Sequence, residues 1–119
     1  MTEAGAARVV VCRVGGQRFA LPIAAVREVV ATPPVIRLAG APAAIRGVAN
    51  VNGTLVTSVS GRELLGSSES GGGEWLVVLT LWQGKVGLEV DEVEDVGESA
   101  GLPQLEIARL IQPLLADPE

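Results

Sequence analysis

The sequence predicts a mainly β protein built from two small barrels, and three observations carry that prediction. Short β-branched runs alternate with glycine turns along most of the 119 residues. The two halves resemble each other. VVVCRV and WLVVLTLW each lead through a glycine turn into a short strand, FALPI or VGLEV, and then into acid-flanked valines at residues 26–29 and 90–96. Helical periodicity is nearly absent before residue 102, and barrels remove the edges that many short strands would otherwise expose.

Taken in order, residues 8–14 (RVVVCRV) and 19–23 (FALPI) flank Gly15-Gly16-Gln17-Arg18 and form a hairpin. Pro22 suits the first position of a short helical turn, with Ile23, Val26 and Val30 on one face, ended by Thr32-Pro33-Pro34. Residues 35–38 (VIRL) read as extended before the Ala39-Gly40-Ala41-Pro42 loop. Residues 45–59 hold two extended arms around Asn52-Gly53, a pair that tolerates positive φ at both centres of a type I′ turn. Arg62-Glu63-Leu64-Leu65-Gly66 reads as one helical turn closed by glycine, and residues 67–73 (SSESGGG) as a flexible surface connection. Residues 75–82 and 86–90 then repeat the hairpin around Gln83-Gly84-Lys85. Residues 102–116 end the chain in a short helix, with Leu105, Ala108 and Ile111 at helical spacing and Pro113 interrupting.

Composition narrows the chemistry. The chain is 48% hydrophobic and 19% charged, long enough for one domain or two very small subdomains sharing a core. At this mass, folding buries roughly two-thirds of the unfolded chain's surface. No apolar run reaches the ~18 residues of a membrane span and no signal peptide opens the sequence, so a cytoplasmic protein without membrane insertion is expected. Cys12 is the only cysteine and histidine is absent, which excludes disulfides, Cys/His zinc sites and every histidine-dependent triad. Residues 1–60 carry +4 and residues 61–119 carry −9 of the net −5. The six arginines of the first half are scattered singly and aromatic residues are 3% of the chain, which argues against nucleic acid as a partner.

The order of motifs resembles a known family. Gly16-x-x-Phe19-Ala20-Leu21-Pro22-Ile23-x-x-Val26-Arg27-Glu28-Val29 is followed by Pro42-x-x-Ile45-Arg46-Gly47-Val48-Ala49-Asn50-x-x-Gly53-x-Leu55-Val56 and by Gly87-Leu88-x-Val90-Asp91-x-Val93. This succession is similar to the CheW-like domain of bacterial chemotaxis systems over about residues 8–97. The resemblance implies two SH3-like five-stranded barrels about a pseudo-twofold axis, in a single domain over residues 1–119 with approximate subdomains 16–70 and 8–15 plus 71–119. It implies a non-enzymatic adaptor, without cofactor or metal, that couples the cytoplasmic tip of a methyl-accepting chemoreceptor to the regulatory domain of a histidine kinase. The groove positions that match are Val26, Glu28 and Gly47, with Asn52 and Trp75 also in the groove. A few apolar anchors beside one acid suit reversible binding of a helix.

This chain departs from the family pattern at three places. Asn50-Val51-Asn52-Gly53 stands where the family has Asn-Leu-Arg-Gly, which exchanges a cation for a neutral amide. Residues 56–62 (VTSVSGR) replace Val-Pro-Val-x-Asp-Leu-Arg. Only 23 residues follow Val96, without the family's further hairpin, so an incomplete second barrel is expected, covered by residues 102–116 rather than by a second copy or a partner. Pairing of this module with itself or a related barrel, without receptors, is the alternative function.

Individual side chains are weighed in the same way. Cys12, in a valine strand, is expected to be a buried packing residue. The acids between Glu89 and Glu98 alternate along a strand and are expected to form a solvated edge or a basic partner's site rather than a metal centre. Glu28 beside Arg27 is a surface pair or a partner contact. Trp75 and Trp82, seven apart in one strand, face opposite sides, with Trp75 the interface residue and Trp82 in the core. Ser58 and Ser60 have no histidine base, and Gly71-Gly72-Gly73 lacks the Lys-Ser/Thr of a phosphate loop, so neither suggests catalysis.

Overall fold

A computed structural model describes residues 8–66, 73–98, 103 and 106–115, with the side chains of 95–98 excepted. Among the described residues nine strands form two sheets. In the smaller, β1 (Arg8–Val14) is central, flanked by β2 (Gln17–Pro22) and β9 (Glu92–Glu98), both antiparallel to it. The larger sheet has the order β3 (Val26–Ala31), β7 (Trp75–Leu79), β8 (Val86–Val90), β6 (Thr54–Ser60), β5 (Ile45–Val51), β4 (Val35–Ile36). Its pairings are antiparallel except β6 with β8. The sheets therefore group residues 8–22 with 92–98 and residues 26–60 with 75–90. Among the described residues neither sheet closes into a barrel on its own strands.

Strand alternation decides which residues meet. Val10, Cys12 and Val14 of β1 face inward with Phe19 and Leu21 of β2 and pack on Val59, Val77, Leu79, Val86, Leu88 and Val90 of the larger sheet. A second, smaller cluster of Val51, Val56, Leu76 and Val78, with Val30 against it, lies on the other face of the larger sheet. α2 (Ile107–Leu115) packs Ile107 and Ile111 into the principal core, which the inner face of the three-stranded sheet shares. The Pro103 carbonyl accepts the Ala20 N–H at 2.9 Å on the outer side of β2.

The Asn52-Gly53 hairpin forms as read: φ is 52° at Asn52 and 90° at Gly53, both in the region a type I′ turn requires. The single turn after β6 is α1 (Gly61–Leu64), capped by the Ser60 hydroxyl, which accepts the Glu63 N–H at 3.2 Å.

Several expectations are corrected. The helical turn after Pro22 is only three residues, Ile23–Ala25, and Val26–Ala31 is a strand, because its valines satisfy their backbone by pairing with β7. The tryptophan strand ends at Leu79, since Leu81–Gly84 is a tight turn with Trp82 at φ 52° and Gln83 at φ 60°. Trp82 and Trp75 thus do not share a strand, although Trp82 does pack on the core and Trp75 is 39% exposed. The extended run 35–38 pairs only at Val35 and Ile36. In α2 the inward residues are Ile107 and Ile111, Ala108 is exposed, and Pro113 lies within the helix instead of interrupting it. Leu105 and residues 67–72 lie outside the described residues.

The acidic run is also drawn inward more than alternation predicts. β8 stops at Val90 and β9 starts at Glu92, so Asp91 occupies a corner, accepting the Gly15 N–H at 2.7 Å and pairing with Arg62 at 2.8 Å. Arg13 reaches Glu92 and Glu94 at 3.3 and 2.5 Å, and Arg18 reaches Glu94 at 2.8 Å. The opposite charges of the two halves are in part spent on each other. Glu89 is 1% exposed, against the expectation of a solvated carboxylate.

Candidate partner-binding surface

Glu28 owes its direction to a β-bulge. Val26 pairs with Leu79 and Glu28 with Val78, so two steps on β3 match one on β7 and Arg27 is the extra residue. Without the bulge, Val26 and Glu28 would share a face. With it, Val26 packs against the principal core beside Leu79, and Glu28 shares the opposite face with Val78.

The turn between β5 and β6 brings Asn52 to the same place. Asn50 Oδ1 accepts the Gly53 N–H at 2.8 Å and fixes the turn from within. Asn52 then donates from Nδ2 to Glu28 Oε1 at 3.5 Å, a weak bond across the mouth of a recess of about 80 Å³. Val51, Val56 and Val78 line that recess, and Arg27 lies so close over Gly84 that a Cβ there would collide with its guanidinium. The result is a small, mainly polar recess in which one acid, one amide and one arginine stand beside three valines.

The other two groove candidates lie elsewhere. Gly47 is buried at φ 144°, where a Cβ would overlap the Ile36 carbonyl, so its place on β5 is fixed by the close approach of β4. Trp75 pairs with Ala31 at the far end of β7, about 13 Å along the strand from the Val26–Leu79 pair. Alternation puts it on the Val77 face, opposite Glu28. Of the five candidates, the fold brings together Glu28 and Asn52.

Ser58 and Glu89, read from the sequence as a serine without a base and as part of a solvated acidic edge, are instead buried against each other. Ser58 shares the Val56 side of β6 and is fully buried, and its hydroxyl donates to Glu89 Oε2. Glu89 lies between Leu88 and Val90 in an otherwise apolar strand. Polar residues at interior positions of two paired strands were the signal.

A family model for the CheW-like domain matches residues 8–108. The chain belongs to the CheW-like domain family. The CheW-like chain is also similar to the crystal structure of the scaffolding protein TtCheW from Thermoanaerobacter tengcongensis, with a TM-score of 0.72 at 22% sequence identity. The match covers 83% of this chain and 66% of that one, so this CheW-like domain spans about two-thirds of the length of that relative.

The electrostatics of the CheW-like domain follow from its fold. Burial pushes the Cys12 thiol up to about 12, aided by the charge of Glu94, so it is a packing residue rather than a nucleophile. Glu94 experiences some desolvation, yet hydrogen bonds and charges from Arg13 and Arg18 hold its carboxyl below the ordinary range. Among the described residues of the CheW-like domain, no His, Cys, Asp or Glu cluster is arranged to hold a metal ion, and no helix is long and apolar enough to cross a membrane.

Proposed function

We propose that this CheW-like domain is a non-enzymatic cytoplasmic adaptor that couples the tip of a methyl-accepting chemoreceptor to the regulatory domain of a histidine kinase. The observation that supports this best is the Glu28–Asn52 pair, which joins β3 to the β5–β6 turn beside a small, mainly polar recess with valines in its lining. A shallow, mixed surface of this kind suits reversible contact with a helix, where a few anchors set affinity. Trp75, exposed at the far end of the same sheet, is proposed as a second, separate contact. The domain works as one unit over residues 1–119, without a cofactor.

A second reading has its own support. Among the described residues β9 pairs only with β1, and an unpaired strand edge favours assembly with another copy or a related domain. Pull-down with receptor-tip and kinase regulatory-domain fragments, using Glu28→Lys and Trp75→Ala, separates the two. Capture lost in Glu28→Lys supports the adaptor. No capture of either fragment, with a mass that rises with concentration, overturns it in favour of self-assembly.

A further inference from the structure

A second recess lies at the other end of the larger sheet and is chemically distinct from the Glu28–Asn52 surface. It measures about 340 Å³ and is lined by Thr32, Pro33, Pro34, Val35, Arg37, Arg46, Gly73 and Glu89. That is the small end of the ~300–1,000 Å³ range of ligand pockets.

Its walls are held in place. The Thr32 N–H donates to the Glu74 carbonyl and the Thr32 hydroxyl to the Gly73 carbonyl, both at 2.9 Å, and two consecutive prolines stiffen the segment that follows. Gly73 leaves no room for a Cβ against the Val90 backbone, and its N–H donates to Glu89 Oε1 at 3.1 Å. Glu89 Oε2 accepts from Ser58. Both oxygens of this carboxylate thus have donors from the protein, and at 1% exposure it presents little of itself to a ligand.

Arg46 is in the opposite position. Its Nε lies 3.4 Å from Glu89 Oε1, yet that buried atom makes no hydrogen bond, and among the described residues Arg46 has no other ion-pair partner. The side chain is 32% exposed, and Arg37 stands exposed on the same rim. Two guanidinium groups against one carboxylate leave a single positive charge. The planar fork of an arginine matches a carboxylate with two parallel bonds, and the neighbouring Glu89 disfavours a dianion.

We propose that this recess binds a carboxylate, clasped by Arg46 and Arg37, with Glu89 holding Arg46 in position from below. The chemistry is shared by a free organic acid and by an acidic side chain of a partner polypeptide.

The test is an amide ¹H–¹⁵N titration of the full chain with N-acetylglycine, and separately with the blocked peptide acetyl-Gly-Glu-Gly-amide. Saturable shifts at Thr32, Val35 and Gly73 are expected. Saturation by N-acetylglycine identifies a free acid as sufficient, whereas saturation by the peptide alone identifies a partner's side chain. Arg37→Ala, at an exposed position that leaves the core intact, weakens binding at least ~10-fold, as loss of one charge-assisted bond requires. Three results overturn the proposal: no saturable shift with either probe, equal shifts with neutral N-acetylglycinamide or inorganic phosphate, or unchanged affinity in Arg37→Ala.

Discussion

The amide of Asn52 lies 3.5 Å from the carboxylate of Glu28, tying the turn of one hairpin to a bulged strand 24 residues earlier. The geometry accounts for an asparagine here. Its φ of 52° is one that asparagine tolerates and longer side chains adopt reluctantly. Aspartate tolerates the same backbone, so Asn52→Asp isolates the charge. It places two carboxylates together and lowers stability by about 0.5–1 kcal/mol, an effect that shrinks in high salt. Urea denaturation at low and high ionic strength measures it.

Ser58 is the other partner whose removal has a defined cost. Ser58→Ala leaves one oxygen of buried Glu89 without its donor and destabilises the fold by about 1–3 kcal/mol. The double variant Ser58→Ala/Glu89→Gln recovers part of that loss, because the buried charge goes with its partner. Urea midpoints of the parent chain and the two variants decide this.

Gly47 and Gly53 both have positive φ but differ in surroundings. Space is open around Gly53, whereas a Cβ at Gly47 meets the Ile36 carbonyl. Gly53→Ala costs roughly 1 kcal/mol and Gly47→Ala clearly more, above about 2 kcal/mol, with disturbance of the β4–β5 pairing. Thermal unfolding gives the ranking, and hydrogen exchange at Val35 and Ile36 locates the damage.

Acid sensitivity is assigned to Glu94. Its folded carboxyl titrates below the ordinary 4.5, so in the window between the two values the unfolded chain binds more protons than the folded one. Its contribution is present above pH 4.5 and is lost as pH falls through the lower, folded value. Stability curves against pH are therefore flatter on the acid side in Glu94→Gln than in the parent chain.

Cys12 gives the opposite sign. Its thiol titrates at about 12 when folded and near 9.0 when unfolded, so stability declines as pH rises between those values. At neutral pH a thiol reagent modifies Cys12 only at the rate of unfolding, and pre-incubation in denaturant makes the reaction immediate. Rapid labelling of the native protein contradicts this placement.

Much of the fold is legible in the residues because local signals agree with the final packing. Asn52-Gly53 specifies its turn by backbone preference alone, and the valines of β1 specify a strand with one face toward each side. What escaped was set by distant partners. Val26–Ala31 satisfies helical spacing as well as strand spacing, and pairing with β7 decides between them. The bulge at Arg27, which separates Val26 from Glu28, has no glycine or proline to announce it. Ion pairs such as Arg13–Glu94 span 81 residues, so the charge imbalance between the halves was visible while its resolution was not. On the candidate surface the motif order pointed to Glu28 and to the turn at Asn52, which the fold brings within 3.5 Å of each other, but the separation of Trp75 depends on strand parity that only the register reveals.

The proposed adaptor role requires one molecule of this chain to hold two partners at once. Sedimentation velocity of the chain mixed with a receptor-tip fragment and a kinase regulatory domain tests it directly. The account predicts a species containing all three, reduced to a kinase-containing pair by Glu28→Lys. Mutually exclusive pairs, or a chain that associates only with itself, would contradict it.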